Sequence, residues 1–252
     1  MSARIAIVTG AASGIGKAVA EALAADGAQV VVCDINEDAG AAVARALGGF
    51  FVRGDLSTRA DCRALVDATL ARHGRVDILV NNAGFQHIDA IDAFPEDTWD
   101  TMIALMLTAP FLLTKYVWPS MQAHGWGRII NIGSVHSLRA SPFKAAYISA
   151  KHGLLGLTRT AAREGGAHCI TVNLIAPAYV RTPLVENQIA DQARTRGISE
   201  DEVVEKVMLA PAAIKRLVEP NEVGDLVTFL ASDKAGAISG AVMTIDLGWT
   251  AG

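Results

Sequence analysis

Residues 9–16 read Thr9-Gly10-Ala11-Ala12-Ser13-Gly14-Ile15-Gly16, and this turn decides the fold because of what flanks it. The apolar residues 5–9 before it predict a buried strand, and residues 16–26 after it repeat apolar side chains at helical spacing. Gly10 permits a sharp turn, while Gly14 and Gly16 remove side chains where a pyrophosphate would approach the amides of a helix N-terminus. Three glycines alone also suit an ordinary tight turn, so the flanking strand and helix carry the interpretation. We therefore predict a dinucleotide site bordered by Gly10, Ser13, Gly14, Ile15 and Gly16.

The rest of the chain repeats this alternation of short apolar runs and helical patterns. Strands are predicted at residues 5–9, 29–33, 50–52, 76–80, 128–132, 170–174 and 242–245. Strands without polar alternation, separated by helices, indicate a parallel sheet covered on both faces. We expect an α/β fold, a Rossmann-type doubly wound sheet in one domain spanning residues 1–252.

One region, residues 178–218, departs from this rhythm and is expected to form a small helical lid over the substrate. Within it Ser199 and Glu202 have the spacing of a capping box, which predicts the start of a short helix.

Composition excludes several classes of protein. With 51% hydrophobic and 19% charged residues the chain is globular, and a net charge of −4 argues against nucleic acid as a partner. We find no apolar stretch of about 18 residues that would span a membrane and no room for a signal peptide before the first strand, so a cytoplasmic protein is expected. Three isolated thiols, at Cys33, Cys62 and Cys169, are expected to be buried and reduced. The six histidines lack zinc-binding spacing, so no metal is predicted.

An acid at the end of the second strand indicates which dinucleotide binds. Asp34 follows Gly10 by 24 residues, close to the spacing of the carboxylate that binds the adenosine ribose. Its charge would repel a 2′-phosphate, and no Lys or Arg lies at residues 10–16 or 35–36 to neutralise one. The sequence therefore favours NAD over NADP as cofactor.

Three further residues suggest acid-base chemistry. Tyr147 and Lys151 are four residues apart in a helical pattern, so their side chains share one face, and Ser134 follows the fifth strand. A free tyrosine has a pKa near 10, and a neighbouring ammonium is expected to lower it. A lone Tyr-x-x-x-Lys pair is often an ordinary helix face. Beside a dinucleotide turn, however, we predict Tyr147 as acid or base, Lys151 as its electrostatic partner and Ser134 as donor to the substrate oxygen.

The spacing Gly-x-x-x-Gly-x-Gly and these residues resemble the short-chain dehydrogenase/reductase family over essentially the whole chain. The resemblance implies that Lys151 also anchors a ribose, that Asn81-Asn82-Ala83-Gly84 supports the sheet and that Ala178 replaces a glycine. It implies further cofactor contacts from Asp55, Leu56, Asn82, Ala83, Gly84, Tyr147, Lys151, Pro177, Val180 and Thr182. It also implies a homotetramer formed through the helices that carry Met106 and Tyr147. Met106 stands where the family has an asparagine that supports a local helix distortion and a water path to the lysine.

Several segments resemble one branch of this family, the 3-hydroxybutyrate dehydrogenases. They are residues 82–87, 126–132, 134–136, 140–144, 150–153, 182–188 and 248–251. The resemblance implies interconversion of 3-hydroxybutyrate and acetoacetate, with Trp249 closing a pocket. In that pocket Ser134 and Tyr147 bind the reacting oxygen, and the substrate carboxylate is held by Gln86, His136, Lys144 and Gln188.

Two residues depart from this branch: Tyr179 replaces a tryptophan and Leu247 a glycine, which leaves room for a different pocket shape. Two alternatives stay open. One is an enzyme for another keto or hydroxy substrate, such as a 3-oxoacyl thioester, a sugar or a steroid. The other is an NAD-binding regulatory protein with low turnover.

Overall fold

Seven parallel strands form one sheet in the computed structural model, which describes residues 3–251 and, of Asn187, only the backbone. Met1 and Ser2, on which the expectation about a signal peptide partly rests, lie outside the described residues. The strands are β1 (Ile5–Thr9), β2 (Gln29–Asp34), β3 (Phe50–Arg53), β4 (Ile78–Asn81), β5 (Gly127–Ile132), β6 (Ile170–Pro177) and β7 (Val242–Ile245). All seven predicted strands are confirmed, with β4 starting two residues later than expected.

Helices connect the strands and cover both faces of the sheet. They are α1 (Gly14–Ala25), α2 (Glu37–Ala46), α3 (Arg59–His73), α4 (Glu96–Ile103), α5 (Ala109–His124), α6 (Ala145–Gly165), α7 (Pro183–Arg196), α8 (Glu200–Glu202) and α9 (Pro220–Ala231). Ala6 and Val8 of β1 pack in one buried cluster with residues of α1, α2 and α9. Ile5 and Ile7 pack in another with residues of α3, α5 and α6. Alternate side chains of a single strand thus supply two cores, which confirms the doubly wound sheet.

The strand order β3-β2-β1-β4-β5-β6-β7 places the site. The chain runs outward from β1 through β2 to β3, then crosses back to β4 on the other side of β1. A crevice opens at such a reversal, beyond the carboxyl ends of the strands. Gly10 after β1 and Asn82 after β4 therefore lie side by side.

Residues 178–218 form an excursion closed at its base. Val180 pairs with Val218 in a parallel bridge, and the amides of Arg181 and Val218 bond to backbone carbonyls across it. Inside are α7, α8 and a π-helix over Val203–Leu209. Ser199 and Glu202 make both reciprocal bonds of the predicted capping box.

Two features of the structure bear on the sequence expectations about membranes and thiols. The continuous helical run Glu96–His124, 29 residues with a mean hydropathy of 1.4, is long and apolar enough to cross a membrane by length and composition. Because Met102, Leu113 and Val117 within it are buried in core clusters, these two properties are weak evidence for a membrane span. The expectation that all three thiols are buried is wrong, since Cys169 is exposed, unlike Cys33 and Cys62, and has a left-handed backbone after α6.

Candidate active site

The glycine turn after β1 is shaped by close backbone approach. Gly10 and Gly14 have φ of +62° and +53°, a region in which residues with a Cβ are strained. A Cβ on Gly16 would lie 2.1 Å from the Gly10 carbonyl oxygen, so Gly16 lets α1 begin directly against the turn. Ser13 is the N-cap residue of α1, but its side chain does not cap the helix. The first amides of α1 are therefore not occupied by Ser13 and suit a pyrophosphate.

Asp34 organises the crevice at the end of β2. One carboxylate oxygen accepts from the amide of Ala12 in the glycine turn and the other from the amide of Asn36, both at 2.9 Å. Asp34 therefore joins the end of β2 to the turn. Asp55 is fixed nearby by the Ser57 hydroxyl, which donates to it at 2.7 Å.

The Asn-Asn-Ala-Gly segment ties β4 to its neighbours. The side-chain amide nitrogen of Asn81 donates to the side-chain oxygen of Asn131 on β5, at 2.8 Å. The Asn82 side chain donates to the carbonyls of Thr9 and Gly10, at 2.9 and 3.1 Å. Asn82 thus locks the glycine turn onto the sheet.

Two adjoining clefts collect almost all of the predicted site residues. The larger, about 450 Å³, is lined by Gly10, Ser13, Gly14, Ile15, Asp34, Asp55, Leu56, Asn82, Ala83, Gly84 and Thr182. The smaller is lined by Ile15, Gln86, Ser134, His136, Lys144, Tyr147, Pro177, Val180, Thr182, Gln188 and Trp249. Ile15 and Thr182 border both, so one molecule can reach from one cleft into the other. Gly16 and Lys151 line neither: Gly16 packs the turn and Lys151 lies buried beneath the smaller cleft.

The larger cleft fits a dinucleotide. Its lining includes Gly10, Gly14 and Gly84, where a Cβ would be strained or tightly packed, and it borders the N-terminus of α1, whose first amides Ser13 leaves uncapped. Ala178, which replaces a glycine of the family, causes no strain, since its φ is not in the left-handed region and its amide bonds to Ile245.

Ser134, Tyr147 and Lys151 converge at the mouth of β5. Ser134 hydrogen-bonds the Tyr147 hydroxyl, which lowers the pKa of the tyrosine, but burial outweighs this effect and raises that pKa to about 12. The sequence expectation of a lowered pKa is therefore wrong for this structure. Burial lowers the pKa of Lys151 to about 8. Its ammonium donates to the Ile132 carbonyl at 2.7 Å and lies 5.5 Å from the centre of the Tyr147 ring.

A π-helical segment, Ala104–Thr108, interrupts the long helix between α4 and α5, and Met106 lies at its centre. Met106 is 1% exposed and packs with Met102, Ala146 and Ala150. A Cβ on Gly84 would come within 3.0 Å of the Met106 sulfur, so the thioether occupies the space that this glycine leaves. The distortion therefore exists here without the asparagine that accompanies it in the family.

The smaller cleft is lined by a buried ammonium group, that of Lys144. Lys144, 2% exposed, precedes α6, and its ammonium lies 3.2 Å from the Tyr179 hydroxyl and 3.5 Å from His136 Nε2. Burial, with a smaller contribution from Lys144, lowers the pKa of His136 to about 3, so this histidine is neutral. Its ring packs edge-on against Tyr147 and Trp249. Within residues 3–251, no Asp or Glu pairs with Lys144.

The two predicted amides of the pocket bond to nearby backbone. Gln86 donates to the His87 carbonyl at 2.8 Å and Gln188 to the Leu184 carbonyl at 3.1 Å. Each amide must turn to reach a ligand. Leu247 keeps a left-handed backbone (φ +57°) despite replacing a glycine, and its carbonyl accepts from the amides of Ala213 and Ile214 at the end of the excursion.

Sequence reasoning missed part of the lining. Tyr179, which replaces a tryptophan of the branch, lines the smaller cleft together with Leu184 and Val185, and the motifs do not predict this role for any of the three. For Val185, the sequence does contain an indication: it lies three residues before Gln188 on α7, so the two side chains share one face of the helix.

Comparisons with known proteins agree with this geometry. A family model described as Enoyl-(Acyl carrier protein) reductase matches residues 10–250. An uncharacterized oxidoreductase of Bacillus subtilis is 44% identical, with 100% of both chains covered. A D-beta-hydroxybutyrate dehydrogenase of Rhizobium meliloti is 43% identical, covering 98% of this chain and 99% of that protein. The crystal structure of levodione reductase superposes with a TM-score of 0.90 at 33% identity, covering 98% of each chain. The chain belongs to the short-chain dehydrogenase/reductase family of oxidoreductases.

Proposed function

We propose that this oxidoreductase is NAD-dependent and interconverts 3-hydroxybutyrate and acetoacetate. The observation that carries the proposal is the buried ammonium of Lys144, which has no acidic partner within residues 3–251 and lies in the same cleft as Tyr147. A buried charge is costly unless it is paired, so the cleft favours an anionic ligand. The similarity to a D-beta-hydroxybutyrate dehydrogenase supports the same substrate class.

The surroundings of Lys144 favour a small carboxylate. His136 is neutral and therefore adds no second charge, while Gln86 and Gln188 can supply directional donors to two oxygens. Trp249 and Tyr179, with ring centres 6.1 Å apart, limit the length of the pocket. A short hydroxy or keto acid matches this combination of charge, donors and size.

The roles of the reactive residues follow from their positions. Bound NAD would accept the hydride from the alcohol carbon and return it in the reverse direction. Tyr147 would take the hydroxyl proton during oxidation and donate it to the carbonyl oxygen during reduction. Ser134, already bonded to Tyr147, would hold the same oxygen, and Lys151 would stabilise the phenolate from below. Residues 178–218 would close over the substrate, within a single domain of residues 1–252.

A panel of substrates tests the proposal. NADH formation should be fastest with 3-hydroxybutyrate and slow with uncharged secondary alcohols. Faster turnover of an alcohol or a 3-oxoacyl thioester would contradict a pocket built for a short carboxylate.

We also propose a homotetramer formed through the helices that carry Met106 and Tyr147. Trp99 and Phe111 support it, because both are large apolar side chains exposed along the helical run that contains Met106.

Cofactor preference depends on Asp34. Since its carboxylate borders the ribose end of the larger cleft, we expect kcat/KM with NAD to exceed that with NADP. Asp34→Asn keeps an oxygen acceptor but removes the charge. It should lower the ratio of kcat/KM with NAD to kcat/KM with NADP on the order of 10- to 100-fold. Asp38→Asn, a change of an exposed acid in the first turn of α2, is the matched control. Equal use of both cofactors by the unaltered protein would exclude the assignment.

The pH profile should reflect the raised pKa of Tyr147. With that pKa at about 12, the phenol is protonated near neutrality, which suits reduction and leaves little base for oxidation. We expect kcat/KM for oxidation to rise with pH between about 6 and 8, by roughly tenfold per unit, while reduction changes little. A flat oxidation profile over this range would show that another group takes the proton.

Met106→Asn is expected to lower the stability of the protein and to raise its turnover. The amide would enter an apolar cluster, so we expect a loss of about 1–3 kcal/mol in the free energy of unfolding. An amide in this π-helical segment is expected to improve the proton path behind Lys151. In that case kcat should rise and the rate should depend less on buffer concentration, while KM for NAD should stay unchanged. Both quantities are measured on one preparation. A folded variant with unchanged kcat would show that the natural protein has a complete path.

A further inference from the structure

Gln192 on α7 is a buried polar side chain that lacks hydrogen-bond partners in the described part of the chain. It is 1% exposed, and neither its amide oxygen nor its amide nitrogen has a hydrogen-bond partner among the described residues. Buried polar groups in folded proteins are paired with protein, ordered water or a ligand, so an amide with two unpaired atoms calls for an explanation.

The face of α7 that carries Gln192 runs along the segment that presents Lys144. Gln188, one turn earlier, lines the smaller cleft together with Lys144. Arg196, one turn later, places its guanidinium 5.7 Å from the ring centre of Phe143, the residue before Lys144. Gln192 lies between these two contacts on the same face. Because side chains in a helix point back toward its N-terminus, the Gln192 amide extends over the turn of Gln188.

The orientation of the Gln188 amide decides which of its atoms would meet a ligand. Its Nε2 now donates to the Leu184 carbonyl of its own helix, at 3.1 Å. Turned toward the cleft, the amide could present either its nitrogen or its oxygen to an anion, and only the nitrogen attracts one.

We propose that Gln192 is a positioning residue that orients Gln188 onto the substrate carboxylate held by Lys144. Once Gln188 turns away from the Leu184 carbonyl, its Oε1 would accept a hydrogen bond from the unpaired Gln192 Nε2, which would leave Gln188 Nε2 facing the carboxylate. This inference rests on the proposed function and adds to it a residue outside the cleft that selects for anionic substrates.

Acetate binding to the complex of protein and NADH tests the inference without turnover. Titrations followed by tryptophan fluorescence compare the unaltered protein with Gln192→Leu, and with Gln122→Leu, a control at an exposed position of α5. We expect Gln192→Leu to weaken acetate binding about tenfold and to raise KM for 3-hydroxybutyrate, with NADH binding unchanged. Its melting temperature should rise, because two unpaired buried atoms are removed. Gln192→Glu, which can only accept, should weaken binding further.

A double-mutant cycle shows whether Gln192 acts through Gln188. In a Gln188→Ala background, Gln192→Leu should have no further effect on acetate binding. Unchanged acetate affinity in Gln192→Leu, or a lower melting temperature as its sole effect, would overturn the inference and leave the proposed function intact. Failure of the unaltered protein to bind acetate would instead overturn the carboxylate pocket and, with it, this role of Gln192.

Discussion

Tyr147→Phe is expected to lower kcat by roughly 10²–10⁴-fold in both directions, the contribution typical of a positioned acid or base. The substitution removes one oxygen and keeps the ring, so the packing of Tyr147 against His136 should persist. Affinity for NADH should stay close to that of the unaltered protein. Single-turnover rates and NADH titrations measure the two effects separately.

Tyr116→Phe is the matched control for this experiment. Tyr116 is a partly buried tyrosine on α5, packed beneath Arg63 and away from both clefts, so its variant should keep full activity. Retention of most activity by Tyr147→Phe would mean that another group transfers the proton. An equal loss of NADH binding would mean that the hydroxyl acts on the cofactor rather than on the substrate.

Lys144→Ala is expected to lower kcat/KM for 3-hydroxybutyrate by about 2–5 kcal/mol, the range for removing one partner of a desolvated charge pair. This corresponds to roughly 30- to 5,000-fold. The methyl ester of the same substrate has no charge for Lys144 to bind, so its kcat/KM should hardly change. Comparison of the two substrates on one preparation isolates the electrostatic contact from any general disturbance.

Stability supplies an independent check on this variant. Among the described residues, the Lys144 ammonium hydrogen-bonds to His136 and Tyr179 and pairs with no carboxylate, so its loss should leave the melting temperature unchanged or higher. Lys234→Ala, on the exposed surface, changes the net charge equally and should affect neither substrate. Parallel losses on the acid and the ester would point to a general carbonyl reductase with an apolar pocket.

Much of the fold could be predicted because its signals are local. The seven apolar runs and the glycine turn specify strands and their first connection from neighbouring residues alone. The start of β4 was placed two residues too early because periodicity cannot show where pairing begins: the strand starts at Ile78, although the backbone of Asp77 already bonds to Ile5 and Arg128. Length and composition alone cannot separate the run Glu96–His124 from a membrane span, since a core helix and a spanning helix share composition.

The candidate site, too, could be predicted from the sequence only in part. Motif spacing was sufficient to propose Ser134, Tyr147, Asp34 and the glycines, and the structure brings them to two adjoining clefts. Gln192 was not predicted, because an amide on a helix is ordinarily exposed. Its significance depends on the absence of partners among the described residues, which no sequence pattern encodes.

The sequence by itself determined the order of strands and helices, the dinucleotide turn and the acid at the end of β2, since each depends on residues close together in the chain. Only the tertiary structure decided that Tyr147 has a raised pKa, that Lys144 lacks an acidic partner within residues 3–251 and that Met106 fills the space beside Gly84. Desolvation, charge pairing and packing are properties of atoms that meet from distant parts of the chain, so these features appear only once it is folded.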